Sequence, residues 1–208
     1  ASTRGVMDRF FAKLKRVAKR RWEDILLFLR IQTPTKGAAR DFLELKVFSW
    51  LNAIGSPEKK LLFIGVASYT WHYYANLAYA VFTIELNEER AKFGKKGAHV
   101  IGSATELSRF YATSSFEVII ANGLIGYGLN SEQDFDKLML ECHRCLKPGG
   151  ILILGYNNDE KHLNFRVANS AHYGKYREIT PEIEGVTSAS VMVHSMNHHT
   201  FTFLKAEK

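Results

Sequence analysis

Apolar positions recur with two periods along this chain, and the alternation between them predicts the elements. Over residues 8–31, placing successive residues 100° apart puts Phe11, Leu14, Ala18, Trp22, Ile25 and Leu29 on one face, with Arg9, Lys13, Arg16 and Arg20 opposite, which predicts an amphipathic helix. Thr33-Pro34-Thr35-Lys36-Gly37 breaks it. A second helix is predicted from about Ala38 to Ala53, with Phe42, Leu45, Phe48 and Leu51 inward, ending at Gly55-Ser56-Pro57. From there short apolar runs alternate with punctuated segments. Leu61–Val66, Ala80–Ile84, His99–Ile101, Phe116–Ala121 and Ile151–Leu154 read as five buried strands.

The intervening segments read as helices or loops. Trp71 to Leu77 is an aromatic helix, and Asn87 caps a short one that stops near Gly94. The clearest helix starts at Ser131, an N-cap residue, with Asp134 in its first turn and Phe135, Leu138, Met139, Cys142 and Leu146 on one face. It ends at Lys147-Pro148-Gly149-Gly150, because proline cannot continue it and two glycines allow the reversal. Lys161–Ser170 is a further helix. Val186–His194 and Thr200–Lys205 alternate as two strands joined by Ser195-Met196-Asn197-His198. Strand–helix–strand units of this kind imply a parallel sheet covered on both faces.

The stretch from Phe116 to Tyr156 carries a resemblance. A strand, the loop Asn122-Gly123, a helix and then Cys145-Leu146-Lys147-Pro148-Gly149-Gly150-Ile151-Leu152 is similar to the second half of a class I S-adenosylmethionine-dependent methyltransferase. The resemblance covers residues 57–208. It implies a Rossmann-like α/β fold, a mostly parallel seven-stranded sheet ending in an antiparallel hairpin with helices on both faces. Residues 1–56 are then an N-terminal helical extension, read as a lid, and residues 57–208 the methyltransferase-like domain.

Composition changes this picture in two places. The chain has 208 residues, 46% of them hydrophobic and only 4 prolines, enough for one domain with a sizeable core rather than a disordered chain. Its net charge is +7, yet residues 1–40 alone carry +8 and the remainder −1. The basic character belongs to the N-terminal segment, which leaves an anionic partner (membrane or nucleic acid) as the competing reading of that helix. No run approaches a membrane span and no secretory signal is evident. Two cysteines three apart on one helix are no disulfide framework, so a reducing, cytoplasmic setting is expected.

Open parallel sheets bind ligands at the carboxyl ends of their strands, and four such ends form the candidate site. In the first loop the family's pattern of an acidic residue and three alternate glycines falls on Phe63, Gly65, Ala67 and Tyr69; only Gly65 is kept outright, and Val66 lies between. Glu85, twenty residues after Gly65, ends the second strand, followed by Leu86; a carboxylate there can accept from both ribose hydroxyls. Ser103 and Ala104, with Thr105, stand where the family holds the adenine amino group, or Ser103 simply caps the next turn. Asn122 and Gly123 face the sulfonium and substrate in the resemblance. His72 and Tyr127 are the candidate catalytic groups, S-adenosyl-L-methionine the implied cofactor, and a small molecule the implied methyl acceptor. Cys142, His143 and Cys145 do not make a metal set, and His198-His199 reads as surface. Two rivals stand beside this reading. A nicotinamide-dependent oxidoreductase would use Glu85 equally well, but its glycine fingerprint would fall on Gly65, Ala67 and Thr70. A non-catalytic relative is favoured by Phe63 and Tyr69.

Overall fold

The computed structural model describes residues 3–29, 31, 37–159, 162–193 and 198–208. The predicted break at Thr33–Lys36 and most of the turn at Ser195–His198 lie outside them. The chain divides into two compact units, Ala1–Pro34 and Thr35–Lys208, so the division falls earlier than the boundary at residue 56 read from sequence. The first unit is helix α1 (Thr3–Phe28). At 100° per residue its Phe11, Leu14, Ala18, Trp22 and Ile25 share one face, and Arg9, Lys13, Arg16 and Arg20 lie opposite.

The second helix belongs to the second unit. It runs as α2 (Ala38–Asp41), a π-helical segment (Phe42–Val47) and α3 (Phe48–Ile54). The wider π turn rotates the buried face. Leu43, Val47, Phe48, Trp50 and Leu51 are buried, while Leu45, expected inward, is exposed. Phe48 packs edge-on against Tyr73, and Trp50 against Phe203, so this helix covers the sheet.

The sheet contains β1 (Lys60–Ile64), β2 (Ala80–Glu85), β3 (His99–Ile101), β4 (Phe116–Asn122), β5 (Leu146–Asn157), β6 (Tyr176–Glu178), β7 (Ser190–Met192) and β8 (His199–Ala206). Their order is β3-β2-β1-β4-β5-β8-β6, with β7 also on β8. The first five pair in parallel, and β8 runs antiparallel to β5. β6 and β7 pair with successive stretches of the same β8 edge, so the eight strands fill seven positions. α4 (Glu132–Cys145) is capped as expected, Ser131 Oγ accepting from the Asp134 N–H at 3.1 Å. Its face of Phe135, Leu138, Met139, Cys142 and Cys145 is fully buried, and burial pushes both thiols up, Cys145 to about 11.

Three predicted elements shrink. The aromatic helix to Leu77 is a single 3-10 turn, Tyr73–Ala75, because Tyr73 and Tyr74 are spent on packing against Phe63. Within 162–170 the described residues hold only the 3-10 turn Val167–Asn169. The strand expected over Val186–His194 is Ser190–Met192. Among the described residues no helix is long and apolar enough to cross a membrane, and no group of three or more His, Cys, Asp or Glu could hold a metal ion.

Candidate functional site

The strand order reverses between β1 and β4, and a cavity of about 910 Å³ opens there at the carboxyl ends of the parallel strands. Of the residues singled out from the sequence, Gly65, Val66, Ala67, Tyr69, Glu85, Leu86, Ser103, Ala104, Asn122, Gly123 and Tyr127 all line it. His72 does not. It is buried, its Nε2 lies 3.6 Å from Glu44 and its ring meets Trp71 and Tyr73, behind the cavity wall rather than in it.

β1 ends in a turn that only glycine adopts easily. Gly65 has φ of +85°, and a Cβ there would meet Leu124 Cδ2 at 3.0 Å. Glu85, at the end of the neighbouring β2, ties this turn down: Oε2 accepts from the Val66 N–H at 3.0 Å and Oε1 from the Asn87 N–H at 2.8 Å. A carboxylate has about four lone-pair positions, so each oxygen keeps capacity for a further donor. Ser103 caps the turn after β3, its Oγ accepting from Thr105 N at 3.2 Å.

The two departures in the first loop have physical reasons. Phe63, in the acidic position, is buried and makes edge contacts with Tyr73 and Tyr74, which extends the core under the loop. Tyr69, in a glycine position, carries the Arg40 guanidinium 4.2 Å above its ring centroid, and Arg40 also lies 3.6 Å from Glu44. Arg40 and Leu43 thus bring the second helix into the cavity wall.

At the other end lies an array of polar groups that sequence reasoning did not assemble. Asn122 Oδ1 is 2.9 Å from His199 Nε2, and His199 Nδ1 is 2.8 Å from Asn157 Oδ1. Asn157 Nδ2 donates to Tyr127 Oη at 2.8 Å, and the Tyr127 ring stacks on His162. His199, read as surface, lines the cavity, and burial lowers its pKa to about 4. The register explains the convergence: Asn122 faces Gly155 on β5, and Asn157 faces His199 on the antiparallel β8. The available signal was Asn157, a polar residue two positions after Gly155 at the end of an apolar strand.

A family model of the methyltransferase domain matches residues 64–154, which bears out the resemblance read from Asn122-Gly123 and the Leu146–Leu152 turn. No curated protein matches the chain. Among solved structures, the N-methyltransferase NodS of Bradyrhizobium japonicum is similar with a TM-score of 0.61 and 13% identity, over 81% of this chain and 95% of that one. NodS in complex with S-adenosyl-L-homocysteine gives 0.59 and 14%, over 81% and 86%. A TehB-like SAM-dependent methyltransferase of Corynebacterium glutamicum gives 0.59 and 14%, over 95% and 99%. At these identities the likeness is one of fold.

Proposed function

We propose that the chain, whose residues 64–154 match the methyltransferase-domain model, binds S-adenosyl-L-methionine in the cavity at the ends of β1, β2, β3 and β4 and transfers its methyl group to a small-molecule acceptor. The observation that carries the reading is Glu85. A single carboxylate fixes the Gly65 turn and still presents lone pairs to the cavity, which suits it to the two hydroxyls of a ribose. Gly65, with no Cβ, leaves the backbone open to close approach, and the Ser103–Ala104 turn borders the same side.

When bound, this cofactor supplies a methyl group on a positively charged sulfur. The residues of the chain have the tasks of aligning and drying. Asn122 and Gly123 end β4 at the cavity, and Tyr127, Leu43 and Tyr73 wall it. Alignment of this kind can contribute several kcal/mol to a displacement reaction. Tyr127, whose hydroxyl lies in the cavity wall, is the candidate for contact with the acceptor. A volume of about 910 Å³ that must also house the cofactor leaves room for a small acceptor, which supports the substrate class. Two free, buried thiols fit a reducing, cytoplasmic setting.

Calorimetry of the full chain with S-adenosylmethionine, S-adenosylhomocysteine and NAD tests the reading. Binding of the first two and not the third is expected. NAD binding alone would favour an oxidoreductase. Binding of neither sulfur compound at millimolar concentration would point to a relative that keeps the fold without the chemistry.

A further inference from the structure

The array at the acceptor end has a property that none of its members has alone. His199 opens β8 and is clamped at both ring nitrogens, by Asn122 at 2.9 Å and by Asn157 at 2.8 Å. Its ring also packs against Phe201. Burial keeps it neutral at ordinary pH, and a neutral imidazole has one N–H and one lone pair. The two carboxamides therefore cannot both turn oxygen toward the ring. One of them turns its NH2.

Two arrangements satisfy these three hydrogen bonds. If Nδ1–H donates to the Asn157 oxygen, Nε2 accepts from the Asn122 NH2, and Asn122 keeps its oxygen for the cavity. Asn157 NH2 then donates to Tyr127 Oη, and the Tyr127 hydroxyl keeps its proton for the cavity. If Nε2–H donates to Asn122 instead, every bond reverses: Asn122 offers NH2 and Tyr127 offers lone pairs. In both, Asn122 and Tyr127 present opposite senses. Asn122, Asn157, His199 and Tyr127 carry no charge in either arrangement.

We propose that His199 is a positioning residue, clamped by Asn122 and Asn157, that fixes the hydrogen-bonding sense of Asn122 and Tyr127 and fits this end of the cavity to a methyl acceptor carrying one donor and one acceptor. The assignment of that end to the methyl acceptor rests on the methyltransferase reading; the clamp does not. Gly155 is part of the device, because a Cβ there would lie 2.0 Å from Asn122 Oδ1 and 3.1 Å from His199 Nε2.

The test is a long-range ¹H–¹⁵N spectrum of the full chain labelled with ¹⁵N-histidine and ¹³C-tyrosine, with His199 identified by its loss in His199→Phe. At pH 7 the ring is expected as one fixed neutral tautomer, with widely separated nitrogen shifts. Asn157→Leu is expected to release it to a tautomer average. Tyr127 ring signals are expected to shift in His199→Phe as they do in Asn157→Leu, which keeps the test open should one variant fail to fold. A freely averaging ring in the wild type, or Tyr127 signals indifferent to His199, would overturn the proposal. S-adenosylhomocysteine added to the same sample separates the two readings. No binding with a fixed ring overturns the methyltransferase reading and leaves the clamp standing.

Discussion

Asn122 and Gly155 sit opposite one another in the parallel register of β4 and β5, and the Asn122 carboxamide fills the space a side chain at Gly155 would need. A Cβ on Gly155 would stand 2.0 Å from Asn122 Oδ1. That glycine is a condition for the hydrogen bond between Asn122 and His199 rather than a flexible point in the strand.

Gly155→Ala is therefore expected to cost stability by overpacking, about 1–3 kcal/mol, and to push Asn122 off His199. Urea unfolding of the variant and the His199 ring spectrum measure the two effects. A stable variant with an unchanged His199 signal would show that Asn122 is free to stand elsewhere.

Glu85→Ala is expected to weaken S-adenosylhomocysteine binding roughly tenfold or more, because charge-assisted bonds to two hydroxyls are lost. Glu85→Gln keeps an acceptor without the charge and should fall between. Titration calorimetry ranks the three chains. Equal affinity in all of them would remove Glu85 from the ligand contacts. Glu85 also holds the Val66 and Asn87 amides, so Glu85→Ala is expected to lose stability as well as affinity, and Glu85→Gln to lose less of both.

The five parallel strands and α4 were legible because their signals are local. Apolar runs mark strands, and Ser131 with Pro148 brackets a helix whose buried side follows a 3.6 period. The ligand-facing ends of β1, β2, β3 and β4 were legible for the same reason, since each follows directly from where a strand stops. What escaped depends on pairing between distant residues. Nothing local distinguishes His199 from a surface histidine; its place comes from β8 lying antiparallel beside β5, forty-two residues from Asn157. The aromatic stretch at Tyr73 suggested a helix, yet its rings are claimed by Phe48 and Phe63 from two other elements. Leu45 was placed inward by a 3.6 period that the π-helical segment does not keep.

Residues from Thr35 onward have a core of their own, so a chain starting there is expected to unfold cooperatively. The apolar stripe of α1 is larger than a single helix can bury by itself, and something must cover it. Comparing melting temperature and S-adenosylhomocysteine affinity with the full chain identifies the cover. The lid reading expects both to fall on removal of residues 1–34. Values equal to those of the full chain would instead assign the stripe, with its basic flank, to an anionic surface, which vesicle co-sedimentation at low and high salt would then detect.

Acid is expected to destabilise the fold through His199. Its folded pKa lies at about 4, below the ordinary value of 6.5, because burial disfavours the imidazolium. Between those values the unfolded chain binds more protons than the folded one, so stability rises with pH across the window and is lost as pH falls through it. Above about pH 7 the group is neutral in both states and contributes no slope. The full difference corresponds to roughly 3 kcal/mol once pH reaches the folded pKa. His99 and His143, also lowered mainly by burial, add to the same trend. Glu117, held low by Lys147 and the Lys60 N–H against the cost of its burial, loses its contribution at more acid pH. His199→Gln removes the titrating ring while retaining hydrogen-bonding groups. The urea midpoint of the wild type is expected to drop more steeply between pH 7 and 5 than that of the variant. Parallel pH profiles would place the acid sensitivity in the other histidines and remove His199 as its source.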